Sequence, residues 1–472
     1  KKTSSIDQPK IGGEIKWAVN PFTVMDLTFN TDFAQADVDR QVNNLTRFSV
    51  FLPERRQFFL ENASLFVVGQ NQTIQPFFTR QIGLSAGAPV PIDAGIRLVS
   101  RNQKRNYGGL LMHQQATDAI GAATFAVGRY SKNFGNQNHF GGLFTAKWSD
   151  PKDSIPSQYN YTFSADAFFR LAKPLSWSLM ASTSSTSNAK SGYSFTSQLS
   201  YYSNQWYGYY NQTLVDKNYD PQVGFIYDKN IVNTSFGGYR IIRKDWVPKK
   251  LRQLDPGVFF TSYHRADDGK FLQGMIEFFP LYTIFINGGW SYMYIVPTWQ
   301  TLPDPINIVG IPIAVGSYYY TRYRFAYAND QSKKLAYSVN YETGGYYDGK
   351  LDSWVFSSRF SPIPNIALNV NYQYNKFEGL GVEKANLTTH LITPEMRLGL
   401  NPRVQLITYY QYNTATEKGI VNVRLAWEYR PLTYIYIVYN ENRQQVFNSV
   451  TQQNDVLRNQ NAIFKITLLK QF

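Results

Sequence analysis

The sequence contains no cysteine among its 472 residues, which excludes a disulfide framework. It also lacks a long apolar run, because the most apolar stretch, from Ile276 to Pro297, is broken by Glu277, Pro280 and the Gly288-Gly289 pair. A helix in lipid needs roughly 20 consecutive, mostly apolar residues. The sequence therefore predicts no membrane helix, and we interpret this stretch as two strands hinged at Pro280.

Histidine is scarce, and its four occurrences lie in no recognisable catalytic motif: His113, His139, His264 and His390. Acid–base and nucleophilic catalysis usually need a histidine beside an activated nucleophile. The spacings of the nucleophile elbow and of metalloproteases are also absent. We therefore predict no catalytic residue, no enzyme activity, no cofactor and no metal site.

Aromatic residues are abundant, with 35 Tyr, 33 Phe and 9 Trp, although the mean hydropathy is −0.35. Many aromatics, low hydropathy and no spanning helix together favour a membrane barrel with a polar lumen. The net charge of +14 is spread along the chain. A nucleic-acid surface needs a clustered basic patch, so we predict a cationic lumen or rim and no nucleic-acid partner.

Alternation of apolar and polar residues continues over about ten positions in several places, as barrel strands require. From 365 to 375, Ile366, Leu368, Val370, Tyr372 and Tyr374 share one face, and 159–171 and 420–430 repeat the pattern. Proline-containing corners lie near 361–364, 401–402 and 430–431, and longer polar connections near 376–386, 413–419 and 441–460. The pattern predicts an all-β fold, a large antiparallel transmembrane β-barrel of about 22–24 strands.

The two ends of the chain also bear on the barrel. The last strand is amphipathic and resembles the signal read by the outer-membrane assembly machinery, through Phe464, Ile466, Leu468 and Phe472. We expect a bacterial outer-membrane location, a periplasmic C-terminus, and lipid and the barrel-assembly machinery as partners. No secretion signal is visible from Lys1 onward, so we expect that any signal peptide has been removed or that the start is missing. We count about 21 strands from Ile92 to the end of the chain and two more within 11–31, which is an odd total. Because single-chain bacterial barrels normally have an even number of strands, we expect an upstream strand.

Residues 33–91 interrupt the strand pattern, between first strands in 1–32 and a main meander in 92–472. A long irregular connection is functional or disordered, and its Phe and Leu content argues against disorder. We predict a lumenal plug or constriction in which carboxylates pair with arginines by charge-assisted bonds. The predicted charge network comprises Asp32, Asp37, Asp39, Arg40, Glu54, Arg55, Arg56, Glu61 and Arg80.

Three sets of residues have a second interpretation. Asp32, Asp37 and Asp39 could bind calcium, but they lack the glycine and terminal glutamate of a regular calcium loop. Glu54, Arg55 and Arg56 could contact an anionic substrate instead of forming structural salt bridges. Paired aromatics could stack on sugars instead of forming interfacial girdles: Tyr201-Tyr202, Trp206-Tyr207 and Tyr209-Tyr210.

The chain resembles a bacterial outer-membrane barrel family of unassigned activity. The similarity is carried by LTFNTDFAQADVDRQVNNLTRF (27–48), LPERRQFFLENASLF (52–66) and PFFTRQIGL (76–84), and continues through 91–98, 219–225 and 425–431. The resemblance implies an outer-membrane barrel, and full-length members carry an N-terminal β-sandwich similar to family-nine carbohydrate-binding modules. Residues 1–472 do not include that domain, so its glycan-binding role is not carried over to them. The sequence departs from the family pattern at Arg55, usually lysine, and at Gln81, usually arginine.

These observations favour a plugged or gated channel or transporter for an unidentified solute, because one long insertion rich in Phe and Arg interrupts a regular meander. A non-conducting structural or accessory subunit, with other envelope proteins as partners, is the alternative. An outer-membrane enzyme is the third hypothesis.

Overall fold

The computed structural model describes residues 12–31, 39–85, 87–153, 155–431, 433–448 and 453–467. Within these ranges lie thirty strands, one short helix, α1 (Gln57–Leu60), and two 3-10 helices (Ala63–Leu65 and Thr79–Gln81). The first fifteen strands are β1 (Gly13–Asn20), β2 (Thr23–Thr31), β3 (Ile74–Gln75), β4 (Leu84–Ser85), β5 (Ala88–Pro89), β6 (Ile92–Arg101), β7 (Arg105–Gln114), β8 (Ala123–Phe134), β9 (Asn138–Ser149), β10 (Gln158–Ala172), β11 (Leu175–Thr186), β12 (Gly192–Tyr202), β13 (Trp206–Val215), β14 (Phe225–Ile226) and β15 (Ile231–Arg240). The remaining fifteen are β16 (Leu251–Leu254), β17 (Gly257–Arg265), β18 (Phe271–Phe285), β19 (Trp290–Leu302), β20 (Ile306–Ile308), β21 (Ile311–Ile313), β22 (Gly316–Ala328), β23 (Leu335–Tyr346), β24 (Gly349–Ile363), β25 (Ile366–Leu380), β26 (Ala385–Asn401), β27 (Val404–Asn413), β28 (Lys418–Arg430), β29 (Thr433–Asn448) and β30 (Gln453–Thr467).

Twenty-four of these strands belong to one large sheet, and the other six form three two-stranded sheets, β3 with β14, β4 with β5 and β20 with β21. The predicted fold class, an all-β, large antiparallel transmembrane β-barrel, is confirmed by this sheet. No helix in the described part of the chain is both long enough and apolar enough to cross a membrane.

One compact unit comprises residues 1–37, 51–199 and 212–232. Its described strands form an antiparallel meander in which β1 pairs with β2, β2 with β6, and each of β6 to β10 with the next strand. On β10, Tyr159 and Phe163 are exposed, whereas Asn160 and Thr162 are buried. The apolar face of this meander is therefore exposed, and its polar face is buried.

The second unit comprises residues 38–50, 200–211 and 233–472. From β17 onward its strands also pair in chain order, with β19 next to β22. β16 and β17 both pair with β18, so they form one pass that is interrupted at Asp255-Pro256. On β22, Tyr319 and Tyr323 are exposed and Arg322 is buried. The apolar face of this unit is therefore also exposed.

The predicted hinge at Pro280 is wrong, because β18 runs through Pro280 and the chain turns only after Phe285. Proline has no N–H to donate to a neighbouring strand. It is accommodated here because the β18–β19 register shifts between Phe278 and Leu281. Gly288, at φ +88°, lies in the turn that separates β18 from β19.

The predicted long polar connections near 376–386 and 441–460 are also mostly strand. β25 continues to Leu380, and β29 and β30 together occupy Thr433–Asn448 and Gln453–Thr467. These strand extensions were not predicted, because they carry polar residues on both faces. Strict alternation is required only where one face meets lipid. Between β29 and β30, Glu441 pairs with Arg458 at 2.8 Å.

Candidate functional site: the insert on the polar face of the sheet

The insert is defined here as residues 39–91, the described part of the connection between β2 and β6. Residues 51–91 belong to the first unit and residues 39–50 to the second, and each part is described with its own unit. The regular structure in the insert is limited to α1, the two 3-10 helices and the short strands β3, β4 and β5. Its position is therefore determined mainly by contacts that side chains of the strands and of the insert itself make with it.

A buried ion pair between Glu54 and Arg56 organises the first-unit part of the insert. The guanidinium of Arg56, only 5% exposed, donates to both carboxylate oxygens of Glu54 at 2.8 and 2.7 Å. Arg56 also donates to the carbonyls of Thr79 and Ile82 at 2.9 and 2.6 Å, and the Thr79 hydroxyl donates to Glu54 at 2.7 Å. This pair joins residues 54–56 to residues 79–82.

Burial raises the pKa of the Glu54 carboxyl, but the hydrogen bonds and positive charge of Arg56 outweigh that effect and lower the pKa below its usual value of 4.5. The Arg56 guanidinium also lies 4.3 Å from the centre of the Phe59 ring. Every polar group of the Glu54 side chain thus has a partner within the insert. These contacts have the chemistry of a structural salt bridge more than that of an open anion site.

A second buried ion pair lies on the sheet itself. Asp26 on β2 faces Arg97 on β6 in the strand register, and Arg97 donates to one Asp26 oxygen at 2.9 and 2.6 Å. Arg97 also donates to the backbone carbonyls of Phe58 and Glu61, the latter at 2.9 Å. The carboxylate of Glu61 lies 3.5 Å from Arg97 and also pairs with Lys16.

Arginines on the strands donate to backbone carbonyls in and beside the short helices. Arg97 contacts the carbonyls at the end of α1, and Arg101 donates to the carbonyl of Asn62 at 3.0 Å. Arg129 on β8 donates to the carbonyl of Leu65 at 3.2 Å and holds Asp166 on β10 with two bonds of 2.6 and 2.8 Å. The carbonyls of Glu61 and Leu65 lie at the C-terminal ends of α1 and of the first 3-10 helix, where a helix leaves carbonyls exposed and positive charge is favourable.

The insert follows β6 along its whole length. Asn62 contacts Arg101 at one end of the strand, and the Gly83 N–H donates to Gln114, which lies opposite Ile92 at the other end, at 3.0 Å. A strand of ten residues spans about 33 Å. Along that length the partners lie on the polar side of the strands, including the buried side chains of Arg97 and Gln114.

The loop between β13 and β15 lies against the same part of the insert. β14 pairs with β3, and the Phe78 N–H donates to the carbonyl of Val223 at 2.7 Å. The ring of Phe225 lies 5.2 Å from Phe51 and 5.9 Å from Phe78. Tyr219 in this loop is completely buried, and its hydroxyl lies 2.8 Å from that of Ser182.

Amide hydrogen bonds are prominent among the contacts of the second-unit part of the insert. The Gln41 N–H donates to the side chain of Gln411 at 2.9 Å, and Gln411 donates back to the carbonyl of Asp39 at 3.1 Å. The Asn413 amide donates to Asn43 at 2.8 Å. Arg40, with 45% of its side chain exposed, pairs with Glu395 at 3.2 Å.

Residues 45–48 continue across the polar face of the second unit. The Leu45 carbonyl accepts a hydrogen bond from the hydroxyl of Tyr346. The Arg47 guanidinium lies 5.5 Å from the ring centre of Tyr263, and the Phe48 ring lies 5.1 Å from it. These contacts end near the β17–β18 turn, because Tyr263 faces Gln273 beside that turn.

The structure brings together some of the predicted residues and separates others. Glu54 pairs with Arg56, but Glu61 pairs with Arg97 and Lys16, and Arg40 with Glu395, which lie outside the predicted set. Arg80 donates to the carbonyl of Pro53 at 3.4 Å, and the Arg55 N–H donates to Glu54 at 2.9 Å. Four predicted residues lie outside the described ranges: Asp32, Asp37, Leu468 and Phe472.

Phe464 and Ile466 of the predicted assembly signal are both exposed on β30, opposite Ile437 and Ile435 of β29. Among the residues that the structure describes, no three His, Asp or Glu side chains form a group suited to a metal ion.

Sequence reasoning missed the strand residues that contact the insert, above all Asp26, Arg97, Arg129 and Asp166. All four charged residues lie within strands. A charge in the middle of a strand whose neighbours are apolar is the signal that could have identified them, because such a charge needs a partner.

Comparison with known proteins gives one family match and several distant structural similarities. The model of a domain of unknown function, DUF5916, matches residues 1–106, a range that includes the insert. No curated protein matches the sequence. A point variant of the ferric enterobactin receptor PfeA from Pseudomonas aeruginosa is 9% identical, with a TM-score of 0.49, over 84% of this chain and 78% of the receptor. The siderophore receptor PirA from the same organism is 9% identical, with a TM-score of 0.38, over 87% of this chain and 96% of that receptor.

Proposed function

We propose that the chain is a gated channel or transporter of the bacterial outer membrane, and that the insert lies in the barrel lumen and controls solute passage. One observation carries the proposal: both parts of the insert contact the polar face of their own unit. The opposite face of each unit exposes large apolar side chains, as a lipid-facing surface does. A segment on the polar face is then a segment on the lumen side.

The two parts of the insert differ in how strongly they are bound, and this difference suggests which part moves. Residues 51–91 are fixed by the buried arginines Arg56, Arg97 and Arg129, each about 4–5% exposed in its side chain. Residues 39–50 are bound by amide hydrogen bonds, by the half-exposed pair of Arg40 with Glu395, and by Leu45, which packs against a buried apolar cluster. Removing one partner of a buried ion pair typically costs about 3–5 kcal/mol, whereas a single hydrogen bond contributes about 0.5–1.5 kcal/mol. We assign the fixed constriction to residues 51–91 and the gate to residues 39–50.

A reversible cross-link tests this gate. The chain has no cysteine, so Asn43→Cys with Asn413→Cys introduces the only two thiols, at positions whose side chains are hydrogen-bonded. In planar bilayers, we expect the oxidised double variant to stay closed and reduction to restore openings. Deleting residues 39–50 should give a conductance that is open continuously.

The single variants Asn43→Cys and Asn413→Cys are the matched controls, because neither can form the intramolecular bond. A barrel that conducts equally when oxidised and when reduced would refute the gate. A barrel that conducts in no variant, including the deletion, would refute the channel itself.

A second function is favoured by the internal pairing of the charges. Both oxygens of Glu54, and the Arg97 guanidinium, already have partners in the chain. A barrel whose plug contacts are satisfied internally suits a non-conducting accessory subunit of an envelope complex. Purification in mild detergent separates the two functions, since stoichiometric partner proteins together with no conductance support the accessory role.

A further inference from the structure

We infer that the polar face of the second unit carries an aromatic track that binds a carbohydrate, so that the solute of the proposed channel is an oligosaccharide. This inference rests on the proposed function and names its substrate class. The track consists of rings from five consecutive passes of the sheet: Tyr207, Tyr209, Tyr239, Phe259, Phe279 and Tyr294.

Alternation on β13 assigns the face of the first two rings. Trp206 and Tyr210 are exposed, at 49% and 46%, on the apolar side of the strand. Tyr207 and Tyr209 lie between them in the sequence and therefore on the opposite face of the strand, together with Asn211. Asn211 is buried and donates to Asn233 at 3.3 Å. Each of the pairs Trp206-Tyr207 and Tyr209-Tyr210 therefore contributes one ring to the apolar face and one to the polar face.

The rings of the track are in contact from strand to strand. Tyr207 lies 5.0 Å from Tyr239, and Tyr209 lies 5.5 Å from Phe259. Phe259 is stacked on Phe279 at 5.2 Å, and Phe279 on Tyr294 at 4.8 Å. Phe279 is only 2% exposed, so it supports the two neighbouring rings and does not itself offer a binding surface. Beyond Tyr294, the contacts continue to Tyr292 at 4.9 Å and then to Trp290 at 5.6 Å.

An interfacial girdle does not account for this row, because a girdle faces lipid and these rings share a face with charged residues. Glu277 lies directly opposite Phe259 in the register, and Arg324 lies directly opposite Tyr294. Arg324 donates to Glu277 at 2.7 Å and lies 3.2 Å from Glu342. A third of each of the Arg324 and Glu342 side chains is exposed, which leaves donors and acceptors available.

This combination has the chemistry of a carbohydrate site. A pyranose ring has an apolar C–H face, which packs on an aromatic ring, and a rim of hydroxyls, which bonds to carboxylates and guanidinium groups. Tyrosine offers both, since its ring is apolar and its hydroxyl is a donor and acceptor. The partly exposed rings of Tyr207, Tyr209, Tyr239, Phe259 and Tyr294 lie on adjacent passes on both sides of the buried Phe279, which favours contacts with successive units of a sugar chain over binding of a single sugar.

The track also lies beyond the gate. Within the second unit, Arg47 and Phe48 contact Tyr263, near the β17–β18 turn, whereas Phe259 lies toward the other end of β17. Four residues along a strand separate these rings by about 13 Å. An oligosaccharide that passes residues 39–50 would thus meet the track next.

Equilibrium binding to the full-length barrel in detergent tests the inference independently of conductance. The probes are fluorescently labelled linear oligosaccharides of glucose, galactose, mannose and N-acetylglucosamine, with labelled tetraethylene glycol as the negative probe. We expect at least one of these sugars to bind. Tyr209→Ala and Tyr294→Ala should each weaken that binding about five- to tenfold, as the loss of one stacked ring implies.

Tyr210→Ala and Tyr323→Ala are the matched controls, since they remove rings from the exposed apolar face of β13 and β22. An equal loss of sugar binding in the track variants and in the apolar-face controls would overturn the inference. So would the absence of binding of any sugar probe to the wild-type barrel. Ion conductance of the same samples reports on the channel separately. A conducting barrel that binds no sugar refutes the track alone, and a sugar-binding barrel that never conducts refutes the channel alone.

Discussion

The Arg97 guanidinium lies 2.6 Å from a carboxylate oxygen of Asp26, and both side chains are more than nine-tenths buried. The pair joins β2 to β6 and, through the carbonyls of Phe58 and Glu61, joins both strands to the insert. Two charges removed from water are tolerated only when their partners are complete. This arginine therefore couples the stability of the sheet to the position of the insert.

We expect Arg97→Gln to lower the free energy of unfolding by about 3–5 kcal/mol, because it leaves the Asp26 carboxylate buried without its charged partner. Asp26→Asn combined with Arg97→Gln should lose less than the sum of the single variants, since both charges are then removed. Urea unfolding in detergent or lipid vesicles measures both effects. Additive losses from the two single variants would show that the residues do not interact.

The pair of Arg40 with Glu395 should contribute far less, although it joins the insert to β26 in the same way. Arg40 is 45% exposed, and an exposed ion pair contributes about 0–1 kcal/mol. We expect Arg40→Gln to leave the unfolding midpoint almost unchanged and to increase the open probability in bilayers. A loss of stability as large as that of Arg97→Gln would contradict the assignment of residues 39–50 to the gate.

Acid should loosen the fixed part of the insert through Glu54. The folded-state pKa of this carboxyl lies below the usual 4.5, so its ionised form contributes stability above that pH, and the contribution is lost as the pH falls through the folded-state value. We expect protease protection of residues 51–91 to be constant between neutral pH and about pH 5 and to decrease below 4.5. Other carboxylates titrate in the same range, so the informative quantity is the difference between the wild type and Glu54→Gln. An identical acid profile in the two proteins would exclude a role for Glu54.

Lysine should not replace Arg129. The planar guanidinium binds both oxygens of Asp166 and also reaches the carbonyl of Leu65, which a single ammonium group cannot do with the same geometry. We expect Arg129→Lys to lower the free energy of unfolding by about 1–3 kcal/mol despite the retained charge. Thermal unfolding of the purified barrel measures the loss. Lys132→Arg, on the same strand, is a control that should have no effect, and full stability in Arg129→Lys would show that charge alone is sufficient.

The sequence was most informative where lipid imposes a simple rule. Ile366 and Leu368 were assigned to one face of a strand, and both are exposed on β25, as alternation requires. The rule was less informative beyond the apolar band, where residues 441–448 continue a strand without strict alternation. It was misleading at Pro280, since whether a proline ends a strand depends on the register of its neighbour.

The partners of the insert could not be predicted for a related reason. A pattern read along one strand gives the face of Arg97, but not that Asp26, 71 positions earlier, lies opposite it. Charges close together in the sequence drew attention to Asp32–Arg40 and Glu54–Arg56, and within the latter group Glu54 pairs with Arg56. Long-range pairing is set by strand order and register, which local composition does not encode.

The arginines of the sheet contact the insert largely through its main chain. Arg97, Arg101 and Arg129 donate to the carbonyls of Glu61, Asn62 and Leu65, atoms that every residue type possesses. These three hydrogen bonds therefore do not depend on which side chain each of the three positions carries. A sheet that holds a segment in this way can retain it through substitutions at these positions.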